Sequence, residues 1–194
     1  TNFATNLKGN FTLADAGVSV YSPIKFSGTG DQSFTYSAGT ITGANTSLEV
    51  DKASGMMTFP SNYVIPVSVT VTKGTVVDTL NLSNNFTADA GTVGDATYAT
   101  GSTVNLYGDN TFTAAMAGAS LYNLGFKKTN TSPWTITLQD SASYPSFTVL
   151  NDLTLQNTAS SGGLTISKSS SANPLTINVN GNLDFPDTSS YGGT

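Results

Sequence analysis

Histidine, cysteine and arginine are absent from the 194 residues, and charge is confined to seven lysines, eleven aspartates and Glu49. Without His or Cys there is no Ser-His-Asp triad, no papain-like nucleophile, no CxxC redox pair and no zinc or haem site with the common ligands. No cofactor is therefore expected. A formal net charge of −5 with no arginine argues against nucleic acid, whose phosphates are bound by Lys and Arg; Lys127-Lys128 is the only basic doublet. No apolar run approaches the roughly 18 to 20 residues of a spanning helix, so membrane insertion is not expected. Nor are there disulfides, and a secreted form would rely on packing. The start, Thr1-Asn2-Phe3-Ala4-Thr5, shows neither an initiator Met nor a signal-peptide pattern, which points to a mature product or an excised fragment.

What is present is small and neutral: Thr, Ser, Asn and Gly make up nearly half the chain. Such a composition can signal disorder, but the apolar pattern answers that. Val67–Thr72, Trp134–Leu138, Phe147–Leu150 and Leu175–Val179 largely alternate apolar residues with Thr, Ser or Asn, the period of a half-buried strand. The alternation predicts that Leu121, Leu124, Ile136, Leu138, Val149, Leu153, Leu155, Leu164, Ile166, Leu175, Ile177 and Val179 point inward. Gly, Asn and Asp between the runs supply turns. The best helical stretch, Thr113–Ala119, is short and carries Gly118, so an all-β chain with at most one helical turn is expected.

A phrase recurs: a short Asn- or Val-led strand, a Gly/Asn/Asp turn and a second strand. It is legible at Asn6–Leu13, Asn81–Thr87, Asn105–Thr113, Val149–Leu155 and Val179–Phe185, with separations that fit a unit of roughly 20 to 30 residues, the size at which solenoid repeats stack. From Tyr107 to Phe185, the strings Tyr107-Gly-Asp-Asn-Thr-Phe-Thr113, Ser120-Leu-Tyr-Asn-Leu-Gly-Phe126, Trp134-Thr-Ile-Thr-Leu138, Leu150-Asn-Asp-Leu-Thr-Leu155 and Asn180-Gly-Asn-Leu183 resemble the parallel β-helix segments of large bacterial surface and fibre proteins. The resemblance covers a little under half the chain well and the N-terminal part loosely. It implies a right-handed parallel β-helix, residues 1–194 forming one β-solenoid domain that is a segment of a longer chain or a filament subunit. Pro60, Pro66 and the irregular stretch from Ala88 to Thr103 leave a β-sandwich open for the N-terminal part. Ser54–Asn62 reads as a dividing loop and Ser167–Asn173 as a polar one. Nothing resembling a capping helix flanks the strand patterns, so both ends are expected to engage further protein.

Chemistry-bearing combinations are few. Glu49 and Asp51 alternate onto one strand face and Asp184 lies close to Asp187; two carboxyls flanking a bond could serve glycoside hydrolysis, but strand-surface charge and turn capping account for both pairs. Lys52, the nearby cation, falls on the opposite face from Glu49 and Asp51. Ser22-Pro23-Ile24-Lys25 spells SxxK, but Pro23 in a β context denies it the helix that motif needs. Asp89, Asp95 and Asp109 are scattered singly, and no calcium loop is spelled. Sequons occur at Asn10, Asn45, Asn81, Asn85 and Asn130 at the frequency chance gives. Thr-x-Thr pairs, among them Thr111/Thr113 and Thr135/Thr137, are too unevenly spaced for an ice-binding array.

Asn81, Asn105, Asn151 and Asn180 are candidates for an amide ladder between stacked coils. Trp134, Tyr122 and Tyr144 are candidates for stacking on a sugar, against the ordinary role of strand aromatics as core. These observations lead to the expectation of a non-enzymatic extracellular structural protein forming a cell-surface fibre, stalk or filament. Its partners would be like subunits or the rest of a longer surface protein. A glycan-binding adhesin using those aromatics is the alternative, and a glycan-cleaving enzyme is disfavoured by the residue inventory.

Overall fold

Alternation of β-branched and apolar residues with Thr and Ser dictates strands, and the computed structural model contains strands and no helix among the residues it describes, 5–89, 94–108, 112–159, 162–170 and 172–186. The largest sheet follows the order β1 (Thr5–Leu7), β3 (Ile24–Phe26), β5 (Ser47–Thr58), β6 (Ser68–Val77), β8 (Phe86–Ala88), β11 (Phe112–Ala115), β14 (Trp134–Leu138) and β17 (Leu164–Lys168). To it are joined β2 (Phe11–Val20), β4 (Gln32–Ile41) and β9 (Ala96–Tyr98). A second sheet holds β7 (Thr79–Leu82), β10 (Thr103–Gly108), β13 (Asn123–Lys128), β16 (Leu153–Asn157) and β19 (Leu183–Asp184). The third holds β12 (Ser120–Leu121), β15 (Ser146–Val149) and β18 (Thr176–Val179).

Every strand pair among the described residues is parallel. Parallel neighbours cannot be joined by a hairpin, so the chain must travel away and return one strand further on. Val69 pairs with Phe86 and Leu138 with Lys168, which sets the range of one such circuit at 17 to 30 residues.

Register then stacks like on like. In the largest sheet Ile24, Leu48, Val69, Phe86, Ala114 and Leu138 stand in successive register, each no more than 4% exposed. Leu80, Val104, Leu124 and Leu153 do the same in the second sheet. One continuous apolar core runs from Leu13 to Leu153, with residues of the first half and the second half in the same cluster. Burial of this kind contributes about 25 cal/mol per Å² of apolar surface and is what offsets the ordering of so many small side chains.

One expectation is overturned and two are refined among the described residues. Ser54–Thr58 is not a dividing loop, because it completes β5. Thr113–Ala115 belongs to strand β11, and only a turn at Ala117-Gly118 follows. Of the side chains read as inward, Leu121, Leu124, Ile136, Leu138, Val149 and Leu153 are buried, whereas Leu155, Leu164, Ile166, Leu175, Ile177 and Val179 pack against the core only partly buried. Asp109, Thr111, Asp187 and the tail 187–194 lie outside the described residues. No helix of the described residues is long and apolar enough to cross a membrane.

Candidate functional site

Period two places Glu49 and Asp51 on the outer face of β5, half-buried, and parallel register lays Lys25 of β3 beside Glu49. Its ammonium lies 3.2 Å from Glu49 Oε1 and 2.5 Å from Asp51 Oδ2. The Asp51 contact is the main reason the Lys25 pKa is raised above its ordinary value. Thr72 also donates its hydroxyl to Glu49 Oε1 at 3.2 Å. The cation that serves the two carboxylates is thus Lys25, from a strand one circuit earlier, and not a chain neighbour. An ammonium shared between two solvated carboxylates is an ordinary surface ion pair; it leaves no carboxyl in an apolar setting of the kind that makes a general acid.

Lys52 points the other way and is fully buried. Its ammonium donates to the carbonyls of Gly28 and Gly30 at 2.9 and 2.8 Å and to Gln32 Oε1 at 2.8 Å, one acceptor for each of its three protons. Gln32, itself buried, turns its amide nitrogen to the carbonyls of Leu7 and Gly9 and receives the Gly28 N–H. Burial pushes the Lys52 pKa down. β5 and β6 lose register at this corner, and Gly74, at φ +109°, sits where a Cβ would meet the Lys52 side chain at 2.9 Å. The cage ties the turns 7–9 and 28–32 to β5.

The asparagines separate into two groups. Asn105 donates its side-chain amide to Asn81 Oδ1 at 2.9 Å, and Asn81 donates to the Ser61 carbonyl at 2.7 Å; both are buried. Register continues that row to Gly125 and Thr154, where a side chain at Gly125 would collide with Asn105 Oδ1. Asn151 is in a different row: its amide donates to Asn123 Oδ1 at 2.9 Å. Asn180 is exposed, and one circuit after Asp152 it is Asn182 that bonds Asp152 Oδ1.

The three aromatics are not brought to one surface. Trp134 is fully buried over Gly108, where no Cβ would fit, so its ring is core and cannot meet a sugar from solvent. Tyr144 is 44% exposed and Tyr122 is half-buried.

A different cleft, of about 580 Å³, is lined by β4, by the end of β5 and the turn after it, and by Asp78, Thr79 and Gly101. Phe34 and Phe59 are its buried floor, with Tyr36 and Pro60; Ser33, Thr35, Thr58, Ser61, Asn62, Asp78 and Thr79 supply hydroxyl, amide and carboxylate groups. Tyr36 stacks on Tyr63 with centroids 3.9 Å apart and planes 19° from parallel, and its hydroxyl donates to the Gly39 carbonyl at 3.3 Å. Asn62 is held by a bond from its amide to the Tyr36 carbonyl at 3.4 Å. Asp78 is exposed at φ +58°, a conformation Asp tolerates better than most side chains. Sequence reading missed this cleft because its residues are spread over four circuits and spell no motif.

Among the described residues no group of three or more acidic side chains is gathered as a metal site would require. Fold and site together define an all-β protein of parallel sheets with a mixed apolar and polar surface cleft. Comparison with family models, curated proteins and solved structures finds no match, so the chemistry of these residues is the ground for any functional reading.

Proposed function

We propose that the chain is a non-enzymatic structural protein, a right-handed parallel β-helix serving as the body of an extracellular surface fibre, stalk or filament. The observation that carries this reading is the register: strand after strand pairs in parallel with the one a circuit later, and the same inward positions fill with apolar side chains in each circuit. Because the N-terminal strands pair in this same parallel manner, a β-sandwich, whose sheets are antiparallel, is the weaker reading for that part. A rod built this way resists force through backbone ladders and core stacking, and a surface with few charges is little affected by salt. The shared ammonium of Lys25 and the scattered remaining acids support a role without hydrolytic chemistry.

Partners would be further coils, from like subunits or from the rest of a longer surface protein. Strands β17, β18 and β19 have no pairing on their outer sides among the described residues, and Leu183 and Phe185 are half-exposed there. Small-angle scattering with electron microscopy of the native material tests the proposal. The expected particle is an elongated rod or a continuous fibre; a compact globule would sink it.

A further inference from the structure

The cleft beside Tyr36 is unaccounted for by a structural role, and the geometry points to it as a binding site for a neutral oligosaccharide. Its volume of about 580 Å³ lies within the range of small-ligand pockets. The lining sets the half-buried Tyr36 ring beside a rim of hydroxyls, an amide and one carboxylate, with Phe34 and Phe59 closed off from solvent beneath, and a pyranose asks for that combination: a C–H face laid on the accessible part of an aromatic ring, hydroxyls met by groups that both donate and accept. Among the described residues no lysine lines it and Asp78 is its only charge, and the chain is net negative, so a uronate, sulfate or phosphate ester would meet repulsion without compensation.

The groups are also held in advance. Tyr36 is fixed from one side by the Tyr63 stack and at its hydroxyl by Gly39, while Asn62 is tied to the Tyr36 backbone. Preorganisation removes ordering losses that otherwise weaken binding. Because the lining comes from four successive circuits, the cleft runs across the strands and suits several sugar units in a row. This site is independent of the structural role proposed above, since a stalk with or without it would stack its coils alike.

Calorimetric titration of the intact chain with cellohexaose, laminarihexaose and N-acetylchitohexaose, and with oligogalacturonate as the anionic comparison, tests the assignment. At least one neutral oligomer is expected to bind, with affinity falling about tenfold or more in Asn62→Ala and in Asp78→Gly, a loss of the size one charged or neutral hydrogen bond carries. Glycine suits the positive φ, so Asp78→Gly removes the carboxylate without straining the turn, and an unchanged melting temperature verifies the fold. Absence of binding to all three neutral oligomers, preference for oligogalacturonate, or binding undiminished in both variants would each overturn the proposal.

Discussion

At the scale of single residues, the most demanding group is the Lys52 ammonium, sealed from solvent with no carboxylate bonded to it among the described residues. Its stability rests on three fixed oxygens. Lys52→Met keeps much of the volume but leaves the Gly28 and Gly30 carbonyls without that donor, and a loss of about 2–4 kcal/mol is expected in urea unfolding, since each buried unsatisfied group costs about 1–3 kcal/mol. Tyr98 is the opposite case. Its phenol is buried without a hydrogen-bond partner among the described residues, and burial drives its pKa far above the ordinary value, so Tyr98→Phe is expected to stabilise by about 1 kcal/mol.

Asp89 makes a pH-dependent case. It is buried at φ +53°, accepts the Ala96 N–H at 2.6 Å, and desolvation raises its pKa above 3.8. A raised carboxyl holds its proton longer in the native state than in the unfolded one. Its contribution is therefore fully present below 3.8 and is lost as pH rises through the higher native value. Asn can keep the acceptor and tolerates the backbone, so wild type should lose urea midpoint relative to Asp89→Asn as pH rises above 3.8 through the higher native value. Parallel curves for the two proteins would contradict this account.

At the scale of elements, close approach between circuits decides what each strand tolerates. Gly108 ends β10 directly beneath the indole of Trp134 in β14. Gly108→Ala is expected to destabilise by about 1–3 kcal/mol, the range for overpacking, and to shift the fluorescence of the chain's one tryptophan to the red as the indole is displaced toward water. Emission and stability both unchanged would show that the strand yields elsewhere.

Trp134 also shows how far the sequence can be read. In Trp134-Thr-Ile-Thr-Leu138 the alternation that turns Ile136 and Leu138 inward turns Trp134 inward as well, so its burial was legible, and the idea of a sugar platform ran against its own strand pattern. Alternation likewise separated Lys52 from Glu49 and Asp51. What it could not supply was the neighbour across the sheet: Lys25 reaches Glu49 and Asp51 because β3 lies against β5, and the carbonyls around Lys52 come from turns more than twenty residues earlier. The asparagine rows failed to appear as one ladder for the same reason. Circuits of unequal length shift the register, so a recurring phrase does not fix which residues stack, and Asn105 meets Gly125 where a strict repeat would offer another amide.

At the scale of the whole molecule, the proposed β-helix makes stability a sum of neighbour terms, with each circuit supported only by those beside it. The second sheet displays the gradient this creates. Leu124 and Leu153 stand in register at 1% and 5% exposure, and Leu183, next in the row, is 51% exposed. The third sheet follows the same course from the buried Leu121 and Val149 of β12 and β15 to the half-buried Val179 of β18. Amides of β10, β13 and β14 should therefore exchange with solvent deuterium far more slowly than those of β17, β18 and β19, which can open without disturbing the core between Leu48 and Phe126. Leu124→Ala should cost about 2–5 kcal/mol, as for other buried leucines, and Leu183→Ala well under about 1 kcal/mol. If further coils cover β17 to β19 in an assembled fibre, the same exchange measurement on fibre and on dispersed chain should show protection gained at those three strands and little changed in the middle of the stack. Uniform protection along the dispersed chain, or equal losses from the two leucine substitutions, would mean that the circuits fold as one indivisible unit and that the neighbour-by-neighbour account is wrong.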